Sequence, residues 1–278
     1  MTLPGIDLSS WQGPPADWQS NAGHIDWAAI KISELGSDGS RYVSPDAAAD
    51  WAYLRQHGLG RVAYFYGHPS ISASASVALF LGALDALGLA DGDAVALDIE
   101  TTDGRTAAEV YQWCLDALQL VQRETGRIPL CYTYLSFAEA GNCRSLAGFP
   151  LYVSDPSSPP GHPRVPAPWR GWSIHQTSIT SALDRDVAAY ATLGAMRAAL
   201  GKPVPGGKVT EHTTGGALSL AGLAAQYKTA PSAILRETAD HFPAGYPTPV
   251  ADYINGVFRG TVKITEAMPP GLTLYLPA

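Results

Sequence analysis

Charge is scarce in this chain. Asp, Glu, Lys and Arg make up 15% of its 278 residues and the net value is -7, so no basic surface awaits a nucleic acid. The three cysteines, Cys114, Cys131 and Cys143, are too few and too odd in number for a disulfide framework. At least one is a free thiol, and Cys114 and Cys131 sit in apolar runs that read as core. No run approaches the ~20 apolar residues a membrane span needs. The opening MTLPGIDLSS shows no basic segment followed by an apolar stretch, which predicts no Sec-type signal peptide. His24, His57, His68, His162, His175, His212 and His241 lack metal-ligand spacing; of these, His68 and His175 fall where they can face a groove. Ser9 and Ser10 have no Gly-x-Ser-x-Gly context, and Gly215-Gly216 has no phosphate-loop spacing. The expectation is therefore no metal and no cofactor.

What the chain does have is alternation. Short apolar runs at Gly5–Leu8, Ala29–Ile32, Arg61–Tyr66, Ala94–Ile99, Ile128–Tyr134, Pro150–Ser154 and Gly171–Gln176 read as strands. Between them, Ser44–His57, Ser72–Leu87, Thr106–Thr125 and Ser136–Cys143 read as helices. Thr106 and Glu109 have capping-box spacing, and Gly58 and Gly126 follow helix candidates as C-terminal glycines do. Strand–helix alternation over about 200 residues predicts an α/β fold with a parallel sheet, most economically an irregular TIM-like β/α barrel. The Pro- and Gly-rich GKPVPGGK segment reads as a linker over 201–210. Residues 211–278 then form a small α+β domain, with helices at Leu218–Tyr227 and Pro231–Thr238 and strands at Gly260–Ile264 and Leu272–Leu276.

The stretch Asp93–Thr102, DAVALDIETT, organises the rest. Val95, Ala96 and Leu97 lead into Asp98 and Glu100, separated only by Ile99. Side chains two apart on a strand share a face, so two carboxylates leave the strand end side by side. Stability gives no reason to desolvate like charges together. Glycoside hydrolysis does: it needs one carboxyl that keeps its proton for the leaving oxygen and a second carboxylate for the sugar cation. Other acids fall at other strand ends, where a parallel barrel converges on one mouth: Asp7, Glu34, and Asp184 and Asp186 after the last strand and before a helix. Trp11, Tyr64, Tyr66, Tyr132, Tyr134, Tyr152 and Trp172 fall at the same ends. An acidic, aromatic-lined groove suits a polysaccharide. The spacing also predicts a raised pKa for Glu100, through limited hydration and the like charge of Asp98.

Gly5-Ile-Asp7-Leu-Ser9-Ser-Trp-Gln12-Gly13, Ile30-Lys31-Ile-Ser33-Glu34, Ala63-Tyr64-Phe-Tyr66, Leu97-Asp98-Ile-Glu100, Pro129-Leu-Cys-Tyr132-Thr133 and His175-Gln176-Thr177 resemble, in order, the strand motifs of glycoside hydrolase family 25. These are the Chalaropsis-type lysozymes common among phage endolysins. The resemblance implies an N-acetylmuramidase acting on the β-1,4 bond of peptidoglycan. It implies Glu100 as general acid, Asp98 as its partner, Asp7 as a first-strand acid and Asp186 as the last-strand acid, with Asp184 able to take that last place instead. It further implies substrate contacts from Glu34, Tyr64, Tyr66, Tyr132, Tyr152, Trp172, Gln176 and Asp184. The sequence departs from the family pattern at Phe65, His175 and Thr177. Retaining, substrate-assisted and inverting routes all stay open, because spacing along the chain gives no distance between carboxylates.

His212–Leu235 and Met268–Pro277 resemble the opening and closing parts of a LysM module, a βααβ fold that binds N-acetylglucosamine-containing glycans. Thr238 stands where Asn is usual, and 240–264 is longer than the usual connection. The implied partner is the peptidoglycan glycan strand, with no nucleic acid and no membrane insertion; tethering two weak modules raises avidity. An endolysin held in the host cytoplasm until lysis, and then acting on the wall, fits the missing signal and the free thiols. Export by a non-classical route is the alternative. A non-catalytic wall-binding protein on the same barrel is the competing reading, against which Asp7, Asp98, Glu100 and Asp186 stand. A chitinase is disfavoured because the Asp-x-x-Asp-x-Asp-x-Glu signature is absent around Val95-Ala96.

Overall fold

A computed structural model of the chain describes residues 2–180, 183–201, 210–213, 219–226, 234, 253, 263, 265, 267–269 and 272–276. The chain divides into two compact units, Met1–Val204 and Pro205–Ala278.

Eight strands of the first unit close into a barrel. They are β1 (Leu3–Leu8), β2 (Trp27–Leu35), β4 (Gly60–Tyr66), β5 (Ala94–Asp98), β6 (Leu130–Tyr134), β7 (Leu151–Ser154), β8 (Ile174–Ser178) and β9 (Asp184–Ala188). From β1 to β8 each neighbouring pair is parallel. β9 runs antiparallel between β8 and β1 and shuts the ring. A short strand β3 (Arg41–Val43) hangs on β2 as a hairpin. This corrects one expectation. Asp184 and Asp186 do not lie between the last strand and a helix; they are part of an eighth strand, which the polar DRDVA sequence hides.

Around the barrel lie α1 (Pro15–Ala22), α2 (Ala47–Gln56), α3 (Ala73–Leu87), α4 (Ala107–Thr125) and α6 (Leu193–Leu200). The expected capping box opens α4: Thr106 Oγ1 accepts from the Glu109 amide at 3.4 Å and Glu109 Oε2 accepts from the Thr106 amide at 2.8 Å. Gly126 ends it in the left-handed conformation at φ 67°. The expected helix Ser136–Cys143 breaks up into a single turn, α5 (Leu135–Phe137), and a π turn over Ala138–Asn142 with Gly141 at φ 87°. Its eight residues carry no apolar stripe long enough to seat a helix.

Strand alternation sorts the apolar residues into two cores. Ile6, Leu8, Ile30, Ile32, Phe65, Leu97, Ile99 and Cys131 point outward against the helices. Leu3, Trp27, Ala29, Val62, Tyr64, Ala96, Leu130, Tyr132, Tyr152 and Ile174 point inward, and Met196 and Leu200 of α6 join them. Trp27 dominates the inner core. It is fully buried, and its indole N–H donates to the Leu3 carbonyl at 3.2 Å. Gly5, its partner across the β1–β2 ladder, leaves the space that the ring fills: a Cβ there would lie 2.1 Å from Trp27 Cε2. Below, Arg61 forks onto Asp93 at 2.7 and 2.8 Å while Arg127 donates to the Asp93 carbonyl at 2.8 Å. Both buried guanidiniums are tolerable there because they are hydrogen-bonded, Arg61 bidentately to a carboxylate and Arg127 to backbone carbonyls.

In the second unit, β10 (Thr210–Thr213) pairs antiparallel with β11 (Thr273–Leu276), and α7 (Leu220–Gln226) buries Leu220, Leu223 and Ala224. The expected helix Pro231–Thr238 and strand Gly260–Ile264 lie almost wholly outside the described residues.

The Gly5–Trp27 fit gives a direct test. Gly5→Ala overpacks the barrel and costs about 1–3 kcal/mol, lowering the first unit's melting transition by several degrees. Trp27→Leu in the same chain restores part of the loss; a Gly5→Ala protein that melts with the wild type would show that this contact is not tight.

Candidate active site

At the end of β5 the inward alternation runs on through two more residues. Asp98 faces the barrel axis, Ile99 is buried in the outer core, and Glu100 returns inward, partly exposed. Asp98 lines a groove of about 360 Å³ together with Ser9, Ser10, Trp11, Lys31, Glu34, Tyr42, Tyr64 and Tyr66. Trp11 stands at its lip, 91% exposed, an open face of the kind that stacks on a ligand ring.

The carboxylates occupy two levels. Asp7 pairs across the ladder with Asp184, and Gly5 with Asp186. Asp184, at the start of the antiparallel strand, is therefore level with Asp7 at the mouth, whereas Asp186 lies one layer down. Asp7 accepts from the Tyr64 hydroxyl at 2.8 Å and Asp186 from the Tyr152 hydroxyl at 2.7 Å. Asp184 is half-buried and accepts from the Thr180 amide at 2.8 Å. Asp186 Oδ2 and Asp98 Oδ1 are buried with no hydrogen-bond partner among the described residues.

Burial is the main force on these acids. It pushes Asp7 up to about 7 against the Tyr64 hydrogen bond, with Asp184 and Glu100 adding like charge. Asp98 is driven well above the usual carboxylate range by burial first, then by Glu100 and Asp7. Burial also raises Glu100, against the pull of Tyr132 and Lys31, and it raises Asp184 and Asp186. The Tyr132 hydroxyl donates to Gln176 at 2.8 Å, with Glu100 within reach as an alternative acceptor. Glu34 goes the other way: burial acts to raise it, but hydrogen bonds from Lys31 and His68 outweigh that and hold it below its ordinary value.

The structure thus brings Asp7, Glu34, Tyr64, Tyr66, Asp98, Glu100 and Asp184 to one mouth. Tyr132, Tyr152, Gln176 and Asp186 form the layer beneath, nearly closed to solvent. Trp172 is elsewhere: it packs against the outer core, edge-on to His175 at 6.0 Å. His175 is fully buried, contacting the Asp155 carbonyl at 3.0 Å, so it faces no groove. His68 does reach the mouth, 2.9 Å from Glu34 Oε1.

Lys31 is the residue that sequence reading passed over. Its ammonium sits 2.6 Å from Glu34 Oε2, lies over the Tyr66 ring at 4.9 Å, and lowers Asp7, Asp98 and Glu100. Residues three apart on a regular strand face opposite ways. Lys31 continues the inward alternation of Trp27 and Ala29; the β2–β4 register then slips between Lys31 and Ser33, and this bulge turns Glu34 inward beside it. The only signal in the sequence was the IKISE motif itself.

Comparison with known proteins places this architecture. The model of the family "Glycosyl hydrolases family 25" matches residues 6–184. The uncharacterized protein YegX of Escherichia coli (strain K12) is 32% identical over 160 residues, 55% of this chain and 56% of that protein; the chain spans about half the length of the curated relatives it matches. A family GH25 lysozyme from Aspergillus fumigatus has a TM-score of 0.59 at 23% identity, covering 72% of this chain and 100% of that one. The bacterial lysozyme from Streptomyces coelicolor has 0.59 at 22% identity, covering 72% and 97%. A muramidase from Acremonium alcalophilum has 0.58 at 21% identity, covering 70% and 97%. These likenesses show the fold, and the family match shows the lineage: this chain belongs to glycosyl hydrolase family 25.

Proposed function

We propose that the protein is an N-acetylmuramidase that hydrolyses the β-1,4 bond between N-acetylmuramic acid and N-acetylglucosamine in bacterial peptidoglycan. One observation carries this reading: Asp98 and Glu100 leave β5 side by side into the barrel, and burial raises both. Titrating as a pair, they can hold one proton between them. Such a pair meets both needs of the reaction, a proton for the leaving oxygen and a negative charge for the sugar cation. Glu100 is the more exposed of the two and takes the general-acid role, with Asp98 assisting. Asp7 and the last-strand acid complete the set. Asp184, level with Asp7, suits contact with substrate better than Asp186 beneath it. Family membership and the names of the solved relatives, lysozyme and muramidase, support the substrate.

The finer parts of the reading are an endolysin role and a wall-binding second unit. Cys114, Cys131 and Cys143 are buried free thiols, which suits a chain folded in a reducing compartment, such as a host cytoplasm before lysis. The LysM-like pattern of 211–278 supports a glycan-holding role there.

Purified peptidoglycan treated with the wild type is expected to yield reducing-end N-acetylmuramic acid, and Glu100→Gln to lower that release ~100-fold or more. Binding without release in the wild type would favour the non-catalytic reading instead. The kcat/KM of the wild type falls at alkaline pH as Glu100 loses its proton, at a pH above the ordinary glutamate value of 4.5.

Asp7 supplies a stability test. Its carboxyl holds a proton up to about pH 7 in the folded chain but only to about 3.9 when unfolded. Across that window the native state binds more protons, so this group's contribution to stability declines as pH rises. Asp7→Asn is expected to melt higher than the wild type at pH 8, with the gap closing by pH 4, while hydrolysis drops. A gap that is constant with pH would sink the claim.

A further inference from the structure

After Glu100 the chain turns through Thr101–Asp103 and brings a further carboxylate back beside the end of β4. Asp103, at φ 47°, accepts from the Ser70 amide at 3.3 Å, Ser70 Oγ at 3.0 Å and Thr101 Oγ1 at 3.0 Å. Those contacts fix it. His68 spans the gap between it and β2: Nδ1 lies 3.1 Å from Asp103 Oδ2 and Nε2 lies 2.9 Å from Glu34 Oε1. The other Glu34 oxygen receives Lys31 at 2.6 Å. An ionised carboxylate only accepts, so each ring nitrogen of His68 meets a carboxylate oxygen to which its N–H can donate. Burial acts to raise Glu34 and Asp103, yet the hydrogen bonds from His68 and its neighbours hold both below their ordinary values.

A lysine side chain has four rotatable bonds and little intrinsic orientation. Lys31 faces Glu34 on its own strand, Tyr42 on β3 at 5.7 Å, Tyr66 on β4 at 4.9 Å, and the charges of Asp7, Asp98 and Glu100. His68 faces Glu34, Asp103 and, at 5.1 Å, the Tyr66 ring, with Asp38 feeling its charge from the next loop. The only fixed hydrogen bond of Lys31 among these is the one to Glu34, and Glu34 is itself held by His68.

We propose that His68 is a positioning residue of the hydrolytic reaction: clamped on Asp103, it orients Glu34 and, through Glu34, holds the Lys31 ammonium facing Asp7, Asp98 and Glu100. The tie links the loop that follows the acid pair back to the strand on the far side of β4. It also sets how much positive charge the acids feel. The proposal rests on the hydrolase reading above, but the placement of Lys31 has a readout of its own.

The test uses the full chain with His68→Ala, His68→Gln, Glu34→Gln and Lys31→Met. His68→Ala is expected to lower kcat about tenfold with KM within about twofold. Both limbs of the kcat/KM–pH profile should move up by about half a unit or more, because the acids lose a cation that lowered them. His68→Gln, whose amide donates to Glu34, restores most of kcat and the profile. Glu34→Gln and Lys31→Met give the same upward shift, and adding His68→Ala to Lys31→Met moves the limbs no further. A purely structural His68 would instead lower Tm and leave the profile where it was, and that result overturns the proposal. So does an equal shift of the limbs on the Lys31→Met background. Carboxyl 13C titration of Asp7 and Glu100 without substrate separates this idea from the hydrolase reading. If His68→Ala leaves those titrations unmoved, the positioning role fails even in an active enzyme; if wild type releases no sugar, the hydrolase reading fails on its own.

Discussion

Several carboxylates share one barrel mouth, and the Lys31 ammonium bears on three of them. Burial raises Asp7, Asp98, Glu100, Asp184 and Asp186 alike, so these five resist ionisation while Glu34, held by Lys31 and His68, does not. Lys31 lowers Asp7, Asp98 and Glu100, and it shares their face with Glu34 because β2 bulges between Lys31 and Ser33. Without the extra residue, either Lys31 or Glu34 would turn into the apolar shell beneath the helices, where an unpaired charge is costly. A local irregularity of one strand thus sets Lys31 and its partner Glu34 on the same face as the acid cluster.

The apolar interior makes that arrangement rigid. Trp27 fills the lower barrel against Gly5, and Tyr64, Tyr132 and Tyr152 stand above it, each with its ring in the inner core and its hydroxyl aimed at Asp7, Gln176 and Asp186 respectively. Tyrosine suits this boundary because it joins a large apolar body to a polar tip. The aromatic layer floors the site and denies water to the carboxylates, which is the cause of their raised pKa values. Packing and chemistry meet in the same three side chains.

Much of this was legible in the sequence where period and chemistry agreed. The seven parallel strands announce themselves as apolar runs, and Asp98-x-Glu100 follows from period two once β5 is recognised. β9 did not, because its residues Asp184, Arg185 and Asp186 are polar: a strand that lines a polar mouth on one face has no hydrophobic signature to read. Lys31 escaped for a related reason. Period two assigns it and Glu34 to opposite faces, and a bulge leaves no mark in composition. The Asp103–His68–Glu34 tie joins three separate loops and strand ends, contacts that no spacing along the chain encodes. Trp172 shows the converse: it precedes β8, and on that parallel strand the start lies away from the mouth, where the ring packs on the outer core.

Strand direction decides more than the presence of acids. On a parallel strand the last inward residue is the one at the mouth, which is how Asp7 and Asp98 arrive there. On β9, which runs the other way, the first inward residue has that place. Asp184 is therefore level with Asp7, half-buried, and held by the backbone amide of Thr180. Asp186, two residues later, descends beside Tyr152 and Gln176. A carboxylate that is to meet a sugar must be reachable by it, and one that is to tune its neighbours need not be. The antiparallel closure thus separates two chemically identical side chains into one at the level of Asp7 and one in the layer beneath.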